Sequence, residues 1–259
     1  MTGLAAVIAG LEPIEDGWRG TIPDTWLQGR TAYGGASTAL ALHAAKQVEP
    51  DLPPLRSAQV SFVGPLAGTV MLRAYTLRRG RNAAFVQADV ESEAGLGLRA
   101  VFVFMRDQES KVDHAAGSPP DFARPGPDDR IYTGKPDGPG FLTNFEFVDR
   151  REGGDDPAEW LRWVRLNDRD GLDPEVELAV VADCLPPAAL KLMRDFAPLS
   201  SLTWLLNLLG PAPRTEDGWW LLRAQTDYAR HGLSSQAMGI WSADGAPVAQ
   251  QMQSIVIFG

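Results

Sequence analysis

The chain has a single cysteine, Cys184, so no disulfide can form within it and a cross-linked framework is excluded. Its three histidines, His43, His114 and His231, are too scattered for metal-ligand spacing. Neither an HExxH run nor a Cys/His cluster occurs, and no metal is expected. There is no Gly-x-Ser-x-Gly elbow and no Walker loop, which disfavours a serine-nucleophile hydrolase and a nucleoside triphosphatase. Basic residues are in deficit, 24 against 33 acidic ones, and the net charge of −9 argues against nucleic-acid binding. Long apolar runs are missing too: nothing approaches the roughly 18 residues needed to cross a bilayer, and the opening "MTGLAAVIAGLEPIEDGW" has no basic leader region. A cytoplasmic protein without a membrane span is the expectation.

What is present is a chain of 259 residues, 44% apolar, enough for a substantial core. From Gln108 to Gly140 roughly a third of positions are proline or glycine, which breaks both helical and strand periodicity and marks a linker. It separates two segments, 1–107 and 141–259. In the first, "GGASTALALHAAK" (Gly34 to Lys46) reads as a helix of small residues. Strand-like runs follow: "LRSAQVSFV", "TVMLRAYTLRRG", "NAAFVQADVES" and "LGLRAVFVFM".

The second segment repeats that order. It begins with a strand, "WLRWVRLND", and continues with the helical region "LDPEVELAVVADCLPPAALKLM", where Asp173 suits an N-cap and Pro174 the first turn. Four more strand-like runs follow, from "SSLTWLLNLLG" to "PVAQQMQSIVIFG". "LRAYT" (Leu72 to Thr76) and "LRAQT" (Leu222 to Thr226) fall at the same place in the two series, and "VFVF" matches "IVIF" at the end of each. Counting back from that last match sets Arg99 in the place of Gln253. The chain reads as a tandem duplication, and a Gly/Ala/Ser-rich helix lets a sheet curl closely round it. The expected fold is α+β: a double hotdog, two helix-wrapped antiparallel sheets joined into one.

At these residues a resemblance appears. The stretch "AYGGASTALALHAAKQVEPDLPPLRSAQVSFVGPLAGTVMLRAYTLRRGRN" resembles the first half of type II acyl-CoA thioesterases, and "IWSADGAPVAQQMQSIVIF" resembles their last hairpin. That family hydrolyses acyl-CoA without a covalent intermediate, an Asp, a Thr or Ser and a Gln together orienting the attacking water. The resemblance implies Gln253 as the glutamine and Thr226 as the hydroxyl. The aspartate's place falls on Ser201, or on Ser200, so a carboxylate has to come from elsewhere, and Asp183 and Asp227 are the candidates. An acyl-CoA substrate, no cofactor beyond its CoA and a homodimer are also implied.

Each candidate has a plainer reading. The helix start at Tyr33, Gly34 and Gly35 could offer backbone N–H groups to a thioester oxygen, or its glycines could serve only tight packing. Asp183, after five apolar residues, is a base if burial raises its pKa, or an ordinary helix-end carboxylate. Arg79 and Arg81, in the "RRGR" turn, could grip CoA phosphates or be merely solvated. Trp204, Trp219 and Trp220 could line an acyl tunnel, or be core. A hydratase would need an Asp and a His together, and a ligand-binding protein would need no base at all.

Overall fold

The computed structural model describes residues 2–135, 137–149, 156–195, 197–213 and 215–258. Helix α1 (Leu4–Ala9) precedes strands β1 (Glu12–Ile14), β2 (Gly17–Ile22), β3 (Leu27–Gln28) and β4 (Thr31–Ala32). Helix α2 (Gly34–Gln47) then leads into β5 (Leu55–Phe62), β6 (Gly68–Arg79), β7 (Ala83–Ser92) and β8 (Gly95–Met105). The second series begins with β9 (Phe145–Asp149) and β10 (Glu159–Leu166), followed by helix α3 (Pro174–Ala182). It ends with β11 (Leu199–Leu208), β12 (Trp220–Arg230), β13 (Leu233–Ser242) and β14 (Pro247–Ile257).

Twelve of the strands form one sheet in the order β1-β2-β6-β7-β8-β5-β11-β14-β13-β12-β10-β9, with every pairing antiparallel. Read outward from the β5–β11 seam, the two halves have the same strand sequence. The bulges repeat as well: one residue is skipped after Thr76 in β6 and after Thr226 in β12. Further skips fall opposite Val90 and Ile240, and after Leu55 and Ser201. Bulges bend a sheet at defined points, so their recurrence bends both halves alike, each round its own helix. This is the double hotdog.

The two helices are buried almost all round and run antiparallel against each other. In α2 the alanines 36, 39, 41, 44 and 45 are all buried, which permits the close approach of both α3 and strands β6 to β8. Asp173 caps α3, accepting from the backbone N–H groups of Glu175 and Val176, and Pro174 opens the first turn. At that end Lys46 of α2 bridges Asp173 and Glu175, each at 2.7 Å. At the other end the Tyr33 hydroxyl donates to the Val180 carbonyl at 2.7 Å.

Two elements depart from the sequence reading. The first strand of the second half is β9, not the Trp-rich run, which becomes β10 at its side. The proline-rich stretch carries no helix or strand among its described residues apart from one bridge, Tyr132 to Phe147, but it is not a free tether. Trp241 donates to the Gly117 carbonyl at 2.9 Å, and Phe122 packs on Trp163, so the stretch covers an apolar cluster of Val148, Leu161, Trp163, Trp219, Leu221 and Trp241. Trp219 therefore belongs to this outer layer, whereas Trp204 and Trp220 lie in the main core.

Candidate active site

Helix α3 stops at Ala182 because two prolines, Pro186 and Pro187, lie just beyond it and cannot continue the helical ladder. Asp183 is its C-cap, at the point where the end of α3 meets the start of α2. It is half-buried, closely packed by protein yet retaining some solvent contact. One carboxylate oxygen accepts from Nε2 of Gln253 at 2.9 Å, and the Gly35 backbone N–H also donates to the carboxylate. Burial pushes the Asp183 pKa up to about 7; those two hydrogen bonds, which favour the anion, oppose it. Gly34 is required at this junction, since a Cβ there would stand 2.6 Å from the other Asp183 oxygen and 2.9 Å from the Phe62 ring.

Gln253 projects from β14 into the core and is only 2% exposed. Its carbonyl oxygen accepts from Nε2 of Gln236 at 2.7 Å, and Gln236, fully buried on β13, accepts in turn from the Ala188 backbone N–H at 2.9 Å. Three hydrogen bonds thus run in one direction, from a backbone amide through two carboxamides to a carboxylate. A partly ionised acid beside an oriented amide N–H can take a proton from water held between them.

Residues 22–105 match the family model described as acyl-CoA thioesterase N-terminal domain, and residues 115–257 match the acyl-CoA thioesterase C-terminal domain. The chain belongs to this thioesterase family. A hotdog-fold protein of unknown function from Alicyclobacillus acidocaldarius is 20% identical, with a TM-score of 0.86 over 100% of this chain and 99% of that one. The acyl-CoA thioesterase II TesB2 from Mycobacterium marinum is 18% identical, with a TM-score of 0.76 over 98% of both chains. The dehydratase domain of RzxB from Pseudomonas fluorescens is more distant, 14% identical with a TM-score of 0.57 over 98% of this chain and 99% of that one. At these identities the likenesses show the fold. No curated protein matches the sequence.

Within this thioesterase-family chain, the structure brings together Asp183, Gln253, Gly34 and Gly35. Ser201, expected in the aspartate's place, lies opposite Ile255, two residues along β14 from Gln253 and on the same sheet face. Ser200 and Asp227 are both exposed, the latter at the bulge of β12. Thr226 lies opposite Gln236, so Gln236 separates it from Gln253 and two strand spacings, roughly 10 Å, lie between them. Its hydroxyl is buried with no hydrogen-bond partner among the described residues. Tyr33 is fully enclosed, stacked on Phe141 at 4.2 Å, and burial first, then the nearby Cys184 and Asp183, hold its phenol well above the usual range. It fastens the two helices together. The Gly35 N–H, which could meet a substrate oxygen, donates to Asp183.

The basic turn is elsewhere. Arg79 donates to the Asp51 carbonyl at 3.2 Å, beyond the opposite end of α2, about 20 Å from the helix start, and Arg81 is exposed beside it. His43 stands toward that same end, where burial lowers its pKa and Asp173 and Lys46 act on it in opposite directions. Among the described residues no group of three His, Cys, Asp or Glu side chains could hold a metal, and no helix is long and apolar enough to cross a membrane. A recess of about 500 Å³ lies between α1 and β2, lined by Val7, Arg19 and Thr21, and Asp183 has no part in it.

The register also corrects the match of Arg99 with Gln253. Thr226 pairs with Gln236, which pairs with Gln253, which pairs with Trp204. The corresponding row of the first half, starting from Thr76 just before the same bulge, runs Val86, Phe102, Ala58. Phe102 therefore takes the place of Gln253, while Arg99 lies on the other face and pairs with Asp89 at 2.6 Å. Counting back failed because the terminal match is itself three residues out of register: with Phe102 in the place of Gln253, "VFVF" falls on Met252 to Ile255 and not on "IVIF".

Proposed function

We propose that this protein hydrolyses acyl-CoA thioesters, with Asp183 as the general base and Gln253 as the residue that orients water. The single observation carrying this is the 2.9 Å contact between the Gln253 amide and the half-buried Asp183 carboxylate, beside the N-terminus of α2. The ionised carboxylate removes a proton from water as the oxygen attacks the thioester carbonyl carbon. The tetrahedral oxyanion that forms benefits from the positive end of the α2 dipole. Its collapse breaks the C–S bond, and the CoA thiolate takes the proton back from Asp183, giving free thiol and a carboxylic acid. Ser201, on the same sheet face two residues from Gln253, is the hydroxyl best placed to assist in holding the substrate.

The family match supports thioester chemistry, and the Asp183–Gln253 contact supplies the carboxylate that Ser201 could not. A binding protein would have no need of this arrangement. A hydratase reading lacks its imidazole: His43 lies nine residues along α2 from Gly34, about 13 Å by helical rise. Release of free thiol from a panel of acyl-CoAs is the test. Turnover of at least one acyl-CoA, reduced by roughly 100-fold in kcat for Gln253→Ala, is expected. No thiol release from any member of the panel would reject the reading.

A further inference from the structure

The amide row behind the carboxylate suggests a role for a residue that no motif marks. A glutamine amide can present either end to a neighbour. Presented oxygen-first, Gln253 would repel an ionised Asp183 and lose the bond that favours the charged form. Its own contacts with Asp183 do not decide the matter, because a protonated carboxyl could donate to the amide oxygen equally well. What decides it is Gln236, whose Nε2 faces the Gln253 oxygen at 2.7 Å. Gln236 is in turn fixed by the Ala188 N–H, a donor that cannot reverse, at 2.9 Å from its oxygen. Its remaining contact, with the Met238 sulfur at 3.3 Å, also suits an NH₂ group on that side. Gln236 is fully buried, so water cannot substitute for any of these partners.

We propose that Gln236 is a positioning residue: together with the Ala188 amide it locks the Gln253 carboxamide with its NH₂ group toward Asp183, so that the carboxylate faces donors only. The proposal rests on the thioesterase reading for its kinetic consequence but not for its electrostatic one. The other titratable groups round Asp183 are the Tyr33 phenol and the Cys184 thiol, both kept neutral by burial, with Arg162 acting on Cys184 from β10. Arg162, the one cation among them, is paired with Asp149 and does not replace the lost amide contact.

Two variants test it. Gln236→Met keeps the volume and removes donor and acceptor alike. Gln236→Leu also removes the amide but is branched where methionine is not, so an effect common to both does not come from one side-chain shape. Two readouts are taken on each: the pH–rate profile of thiol release, and the titration of the Asp183 carboxyl followed by carbon NMR with Asp183→Asn as the assignment control. In both folded variants the acid limb of kcat and the Asp183 titration are expected to move to higher pH by about one unit, as loss of a charge-directed hydrogen bond requires. We expect kcat at neutral pH to fall about fivefold and KM to change less than about threefold. If both variants fold and the limb and titration stay where they are in the wild type, Gln236 only fills space and the proposal fails. If the wild type releases no thiol at all, the thioesterase reading falls, and the NMR titration alone decides for or against the positioning role.

Discussion

At the residue scale, Asp183 carries opposing demands. Its pKa of about 7 means that the folded protein holds a proton that the unfolded chain, at the ordinary value of 3.8, has released. Between those values stability falls as pH rises, and the contribution present below 3.8 is lost by about pH 7. Asp183→Asn, whose one oxygen can still accept from Gln253, should therefore melt higher than the wild type above pH 7. The difference should shrink to nothing near pH 4; thermal melts across that range measure it, and a pH-independent difference would contradict the assignment. Gly34→Ala places a Cβ 2.6 Å from the carboxylate and should cost about 1–3 kcal/mol as well as activity, read by denaturant unfolding and thiol release. Gln253 and Asp183 were legible in the sequence, one by resemblance and one by its place after an apolar run. Gln236 was not. Its only signal is a glutamine in "SSQAMGIW" at a position whose alternation with Ser234, Met238 and Ile240 points it into the core, and strand polarity alone does not tell a paired amide from an exposed one.

At the element scale, the antiparallel helix pair sets the site by bringing the end of α3 against the start of α2. The opposite end is held by Lys46 between Asp173 and Glu175, and Glu175 also accepts from the Leu55 backbone N–H at 2.7 Å, tying α3 to β5. Lys46→Met should cost about 2 kcal/mol, because it strands a Glu175 side chain that is only 11% exposed. Urea unfolding checks the value, and a cost below about 0.5 kcal/mol would mean that solvent already screens the pair. On β11, Trp204 fills the row beside Gln253 with its indole N–H bonded to Gln251 at 2.8 Å. Trp204→Ala should cost about 3–5 kcal/mol in the same experiment. The helix α2 and most strands were readable from composition and alternation. The length of α3 was overread, since the apolar periodicity continues through a segment that the two prolines break, and β9 went unseen because it is short and hidden beside the masking charges of its neighbours.

At the scale of the whole molecule, the duplication is deeper than the five-residue match that announces it: strand order and three bulges recur in both halves. One row of the sheet carries a divergence that bears on the site. Where the second half sets Gln236 and Gln253, the first sets Val86 and Phe102, so one copy keeps an apolar core and the other a polar line ending at a carboxylate. Pairing register, which depends on bulges and turns, is the part of the fold that sequence periodicity leaves open. The central claim is that Asp183 supplies the base, and thiol release by Asp183→Asn measures it most directly. On the best acyl-CoA of the panel the account predicts a fall in kcat of about 100-fold or more, with the acid limb near pH 7 abolished and the fold intact. An Asn variant within about threefold of wild type, with the same acid limb, would contradict it.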